Sequence, residues 1–279
     1  MINTPYSNSH FGYCEFTNRT SATRTCYQRN FQNKTAVITG SGRGIGKEVA
    51  ILLAGNVANI VVCSRTANEI SAVLKEIEKV NDEVNVLGVK CDVSVSSQVN
   101  SLINSAVHEF GSETIDILVN NAGVAYERKI IETSEEEWDK TIDINLKGAF
   151  LFIKAVLPYM IKRDSGVILN VNSGAGKTGF SNLSSYSISK FGLAGLTQSL
   201  ALEVKSYNIR VMSIFLGQVA TKMRQDYDDN HYEKNKKKML SPQKAAAKIV
   251  EMILDTNKYK NGDSLELYYP HMDGIHSRQ

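Results

Sequence analysis

A chain of 279 residues, 42% of them hydrophobic and 22% charged, has the composition of an ordinary globular protein, which excludes a disordered chain, a collagen-like repeat and a disulfide-stapled scaffold. A net charge of +3 gives no reason to expect a nucleic-acid footprint. Cys14, Cys26, Cys63 and Cys91 make neither a Cys-x-x-Cys pair nor a metal-spaced cluster with histidine, so a reduced, cytoplasmic protein without a metal is expected.

The first thirty residues lack the apolar core of a secretory signal. Arg19, Arg24 and Arg29, with Glu15 as the single acid, resemble a transit peptide in composition but without its Leu-rich amphipathic face. Residues 1–30 are therefore read as a flexible or oligomer-contacting extension, and residues 31–279 as one domain. No uninterrupted apolar run approaches the ~18–20 residues that span a bilayer.

From Phe31 onward, strands and helices alternate. Thr35–Thr39 is a predicted strand, Ile45–Ala54 a helix and Ile60–Cys63 a strand. In Ala67–Val80, Ile70, Val73, Leu74 and Ile77 recur at helical spacing. Further strands are expected at Val84–Val89, Ile115–Asn120, Val167–Val171, Ile209–Phe215 and Leu265–Tyr268. Ser94–Phe110, Glu135–Arg163 and Ser184–Val204 are long enough for helices. This alternation builds right-handed βαβ units. The fold class is α/β: a single Rossmann-type, doubly wound domain, with a mostly parallel seven-stranded sheet and helices on both faces.

Immediately after the first strand comes Gly40-Ser41-Gly42-Arg43-Gly44-Ile45-Gly46. Glycines there allow a sharp turn and let backbone approach a pyrophosphate, and the following helix offers free N–H groups and a positive dipole end. At the end of the second strand, where NAD-binding Rossmann folds carry an acid, the chain has Ser64 followed by Arg65. Arg43 and Arg65 offer forked donors that match a 2′-phosphate, which favours NADP(H) over NAD(H).

Ser173, Tyr186 and Lys190 form the candidate catalytic group. Tyr186 and Lys190 are four apart and share one helix face. A lysine ammonium beside the phenol is expected to lower its pKa from about 10. Tyr186 then exchanges a proton with a carbonyl oxygen as general acid or base, while Ser173 steadies that oxygen.

Together these motifs resemble the short-chain dehydrogenase/reductase family over Phe31 to Tyr268. Asp92-Val93 is similar to the family's adenine-contacting pair, and Asn120-Asn121-Ala122-Gly123 to its motif after strand four. Asn145, in Asp-Ile-Asn-Leu-Lys-Gly, matches the asparagine that holds a water beside the lysine. The resemblance implies that Lys190 also contacts the nicotinamide ribose. It likewise implies that Gly217, Val219 and Thr221 hold the carboxamide, in a loop where Leu216 replaces the usual proline and which is expected to be looser for it. Asn172 stands where serine is common, and Val57 where glycine is. A homo-oligomer, dimer or tetramer, built on Glu135–Arg163 and Ser184–Val204 is implied in the same way.

The expected substrate cap is about residues 218–240, with Met223, Arg224, Tyr227, His231, Tyr232 and the run Lys234–Lys238. Arg224 and the lysines are read first as solvated surface, or else as a receiver for an anionic, carrier-bound acyl group. His231 is read as an exposed polar residue. The resemblance is to 3-oxoacyl-carrier-protein reductase-like and polyol or sugar dehydrogenase-like members alike. The expected activity is NADP(H)-dependent interconversion of a small-molecule ketone and secondary alcohol. The alternatives are an NAD-dependent sugar or polyol dehydrogenase and a catalytically silent cofactor-binding regulator.

Overall fold

The computed structural model describes residues 31–111, 115–226 and 229–268. The extension at 1–30, Tyr227 and everything after Tyr268 lie outside the described residues. Strands β1 (Thr35–Ile38), β2 (Asn59–Ser64), β3 (Asn85–Lys90), β4 (Ile117–Asn120), β5 (Gly166–Ser173), β6 (Ile209–Leu216) and β7 (Ser264–Leu267) form one sheet in the order β3-β2-β1-β4-β5-β6-β7. Every pairing is parallel, so the sheet is wholly rather than mostly parallel.

Helices α1 (Gly44–Ala54), α2 (Ala67–Val80), α3 (Ser96–Glu109), α4 (Glu135–Ile142), α5 (Gly148–Arg163), α6 (Ser184–Glu203), α7 (Lys222–Gln225), α8 (Asp229–Asn235) and α9 (Pro242–Leu254) supply the crossovers and the cap. The central strands are apolar on both faces because helices cover both. One core joins Val49 and Leu53 of α1, Val73 of α2 and Ile249 and Ile253 of α9 to the sheet. The other is built from Leu102 of α3, Phe152 of α5 and Leu200 of α6. Val57 is buried in the first core, which explains a side chain where a glycine was expected.

Helix α9 was not among the predicted elements, although its signals are local. Ser241 is its N-cap and accepts from Lys244 N at 3.2 Å, Pro242 opens its first turn, and Ala245, Ala246, Ile249 and Ile253 form its buried stripe. The single helix expected over Glu135–Arg163 is instead α4 and α5 joined by one π turn, Asp143–Lys147. That stretch has the length and mean hydropathy of a membrane span. Its apolar residues Phe152, Ile153, Val156 and Met160 nevertheless pack against the sheet in the second core.

A buried polar ladder ties the sheet to α6. Asn120 Nδ2 donates to Asn170 Oδ1 at 2.9 Å, and Asn170 Nδ2 donates to Thr197 Oγ1 at 2.9 Å. The strand order reverses between β1 and β4, and the crevice at such a switch point, beyond the carboxyl ends of the strands, is where doubly wound folds place their ligands.

Candidate active site

The turn from β1 into α1 is shaped by glycine. Gly40 and Gly44 sit at φ +61° and +58°, in the left-handed region. A Cβ on Gly40 would lie 2.8 Å from Ala122 Cα, and one on Gly46 would lie 2.4 Å from Asn121 Nδ2. The turn is thus seated directly on the segment that follows β4. Thr39 Oγ1 accepts from Asn121 N at 2.9 Å and Ala122 N at 3.0 Å, while Asn121 Nδ2 donates to Thr39 O and Gly40 O. Arg43, the N-cap of α1, makes no side-chain cap, so the first N–H groups face the crevice. Ser41 is fully buried: its hydroxyl donates to Ile38 O and accepts from Cys63 N, which fastens β1 to β2 and leaves nothing to aim at a ligand.

At the far end of the crevice lie Ser64, Arg65 and Asp92. Burial works against the Asp92 carboxylate, but two hydrogen bonds from Ser94 and the charge of Arg65 hold its pKa below the ordinary value. Glu69 in the first turn of α2 joins this group unannounced by the sequence reading. Ser64 Oγ donates to Glu69 Oε2 at 2.9 Å, and Arg43 Nη1 stands 3.7 Å from Glu69 Oε1.

At the other end, Tyr186 and Ser173 line the cavity together. Ser173 Oγ accepts from Ala175 N at 3.2 Å. Asn172 Oδ1 accepts from Ser173 N at 2.8 Å and its Nδ2 donates to Lys190 O at 3.1 Å, so this asparagine locks the Ser173 backbone to α6. Lys190 Nζ donates to Val171 O at 2.9 Å and lies 5.7 Å from the centroid of the Tyr186 ring. Asn145, buried on the π turn, clasps Val124 from both sides: its Oδ1 accepts from Val124 N and its Nδ2 donates to Val124 O, each at 2.8 Å.

The expectation that Lys190 lowers the Tyr186 pKa is corrected by this arrangement. Burial pushes the phenol up, and the neighbouring Ser173 hydroxyl only partly opposes it. The same burial brings Lys190 down to about 8, so its ammonium persists at neutral pH and is lost as the pH rises above that value.

One cavity of about 670 Å³ connects the two ends, and its lining includes Arg43, Arg65, Ser173, Tyr186, Lys190 and Thr221. Its lining also includes Phe180, Leu183, Met223, Arg224 and Tyr268. A profile of the short chain dehydrogenase family matches residues 34–231. The chain belongs to this family.

As a short-chain dehydrogenase/reductase it is an oxidoreductase of the alcohol–carbonyl couple, and its family uses nicotinamide dinucleotides. It is 39% identical over 197 residues to a trans-4-hydroxycyclohexanecarboxylate dehydrogenase of Sinomonas cyclohexanicum, covering 68% of this chain and 74% of that protein. It is 35% identical over 199 residues to the 3-oxoacyl-acyl-carrier-protein reductase FabG of Staphylococcus epidermidis, covering 71% and 80% respectively. Levodione reductase superposes with a TM-score of 0.79 at 28% identity, over 85% of this chain and 96% of that one.

The short-chain dehydrogenase site gathers most of the expected residues. Gly40, Gly44, Ile45, Ser64, Asp92, Val93, Asn121, Ala122, Gly123, Gly217 and Val219 all line the cavity. Asn145 stands behind that lining, with Oδ1 3.3 Å from where a Gly123 Cβ would be. The loop without its proline is pinned: Ala220 N donates to Leu240 O, and Gly217 N to Leu267 O. Lys236, Lys237 and Lys238 are solvated as read, and His231 is half-buried but outside the cavity lining. Arg224, by contrast, is half-buried and lines the cavity. Tyr268, expected only as the end of the last strand, also lines the cavity; its ring closes over Gly174 and Gly217, at 3.4 Å and 3.0 Å from where their Cβ atoms would be.

Proposed function

We propose that the protein is an NADP(H)-dependent carbonyl reductase in which Tyr186 is the proton donor. The observation that carries this reading is that Ser173, Tyr186 and Lys190, with Lys190 Nζ 5.7 Å from the Tyr186 ring centroid, line the same cavity as the glycine turn. The turn fits a pyrophosphate, since Gly40, Gly42 and Gly44 line the cavity at the N-terminus of α1, which carries no side-chain cap. A dihydronicotinamide held in this cavity would supply the hydride for the carbonyl carbon. Tyr186, held neutral by burial, starts in the acid form and gives its proton to the carbonyl oxygen. Ser173 donates to the same oxygen, and Lys190 steadies the phenolate left behind.

Arg43 and Arg65 favour a 2′-phosphate at the adenosine end. The apolar and aromatic walls, with Arg224 among them, suit an aliphatic or alicyclic ketone carrying an acidic group. The names of the hydroxycyclohexanecarboxylate and oxoacyl relatives agree with that chemistry. NAD-dependent oxidation of a sugar or polyol is the second reading, and Glu69 speaks for it by bringing a carboxylate to the adenosine end. A silent regulator has no use for the Ser173–Tyr186–Lys190 group. Exposed Phe150 of α5 and Phe191 of α6 support assembly of a homo-oligomer on these helices.

Titration with NADPH and NADH, followed by nicotinamide fluorescence, tests the reading. NADPH is expected to bind at least about tenfold more tightly, a difference of ~1.4 kcal/mol. Equal or tighter binding of NADH overturns the cofactor assignment, and failure to bind either overturns the activity.

A further inference from the structure

A carboxylate that does not sit at a strand end stands beside the glycine turn. Glu69 is the third residue of α2, three after Thr66, a spacing that would let the pair close a reciprocal capping box. No such cap forms: Thr66 makes no side-chain cap, and Glu69 turns instead toward the glycine turn. One of its oxygens accepts from Ser64 Oγ at 2.9 Å, and the other faces Arg43 Nη1 at 3.7 Å. The contact with the turn is close, because a Cβ on Gly42 would lie 2.7 Å from Glu69 Oε2 and 2.8 Å from Ser64 Oγ. Glu69 also lines the cavity beside Arg65 and Thr66.

We infer that Glu69 is a specificity-determining residue that limits the preference for NADP(H) over NAD(H). This rests on the proposal that Arg43 and Arg65 receive the 2′-phosphate. The carboxylate acts twice against that phosphate. It repels a group of its own sign, and it engages the guanidinium and hydroxyl that would otherwise donate to the phosphate. Toward a free 2′-hydroxyl the balance reverses, because that hydroxyl needs an acceptor and Glu69 offers one. The strand-end position is Ser64 rather than an acid, yet Glu69 brings an acid to the same end of the cavity from the next helix. The side chain of Glu69 is 28% exposed, so its charge is only partly screened by water.

The test measures dissociation constants of NADPH and NADH for the full chain and for Glu69→Gln, Glu69→Ala and Arg43→Ala. Glu69→Gln keeps the size and the acceptor for Ser64 while removing the charge; Glu69→Ala is the second variant should the first not fold. The ratio of NADH to NADPH dissociation constants is expected to rise at least fivefold in either Glu69 variant, chiefly through tighter NADPH binding. A rise below fivefold, or a fall, overturns the role of Glu69. The underlying cofactor reading fails separately, if the unaltered chain does not favour NADPH and Arg43→Ala leaves its binding unchanged.

Discussion

Replacing Lys190 with methionine is expected to make the protein more stable while disabling it. Lys190 is 5% exposed, and burial holds its pKa at about 8 against an ordinary 10.5. At 1.36 kcal/mol per pH unit, that gap is a destabilisation of about 3 kcal/mol carried by the folded state whenever the lysine is charged. Methionine has a similar unbranched reach and no charge to desolvate. It forfeits the hydrogen bond to Val171 O, worth about 1 kcal/mol, which leaves a net gain of about 2 kcal/mol at pH 7. For a chain of this size that corresponds to a rise in Tm of roughly 4–8 °C. The pH dependence follows from the depressed pKa. Between about 8 and 10.5 the unfolded lysine holds a proton that the folded one has released, so the unaltered protein gains stability as pH rises. The advantage of Lys190→Met is therefore full below pH 8, shrinks through that window and gives way by pH 10.5 to a deficit of about 1 kcal/mol, the lost hydrogen bond to Val171 O. Circular dichroism melts of both proteins at pH 7, 9 and 10.5 read this directly. A variant less stable than the parent at pH 7, or a difference that does not change with pH, refutes the claim that charge burial at Lys190 opposes folding.

Two further outcomes are expected. Tyr186→Phe removes the proton donor but leaves the glycine turn intact, so kcat for carbonyl reduction should fall by about 10²–10⁴ while the NADPH dissociation constant, followed by fluorescence, stays within about twofold; retention of turnover within tenfold would assign the proton to another group. Gly46→Ala places a methyl 2.4 Å from Asn121 Nδ2 and 2.6 Å from Gly40 O, and should cost about 1–3 kcal/mol in denaturant unfolding together with weakened NADPH binding. Unchanged unfolding would mean that the turn shifts freely on the segment after β4.

The parts of this protein readable from its sequence share one property: their chemistry is local. Strand and helix periodicity, the glycine turn next to the first strand, and Tyr186 and Lys190 one helical turn apart each lie within a few consecutive residues, where backbone geometry alone brings side chains together. That is why the doubly wound sheet was expected in place and most of the expected site residues line one cavity. Even the missed α9 had its Ser241-Pro242 start in plain view. Tertiary structure decided what depends on partners distant in the chain. Asn145 meets Val124 because a π turn rotates it inward, and Tyr268 closes over Gly174 and Gly217 because β7 pairs beside β6. Glu69 faces Arg43 and Ser64 rather than capping its own helix. Burial, which no motif states, reversed the expected direction of the Tyr186 pKa. The desolvation of a charge depends on everything packed around it, and that packing exists only once the chain has folded.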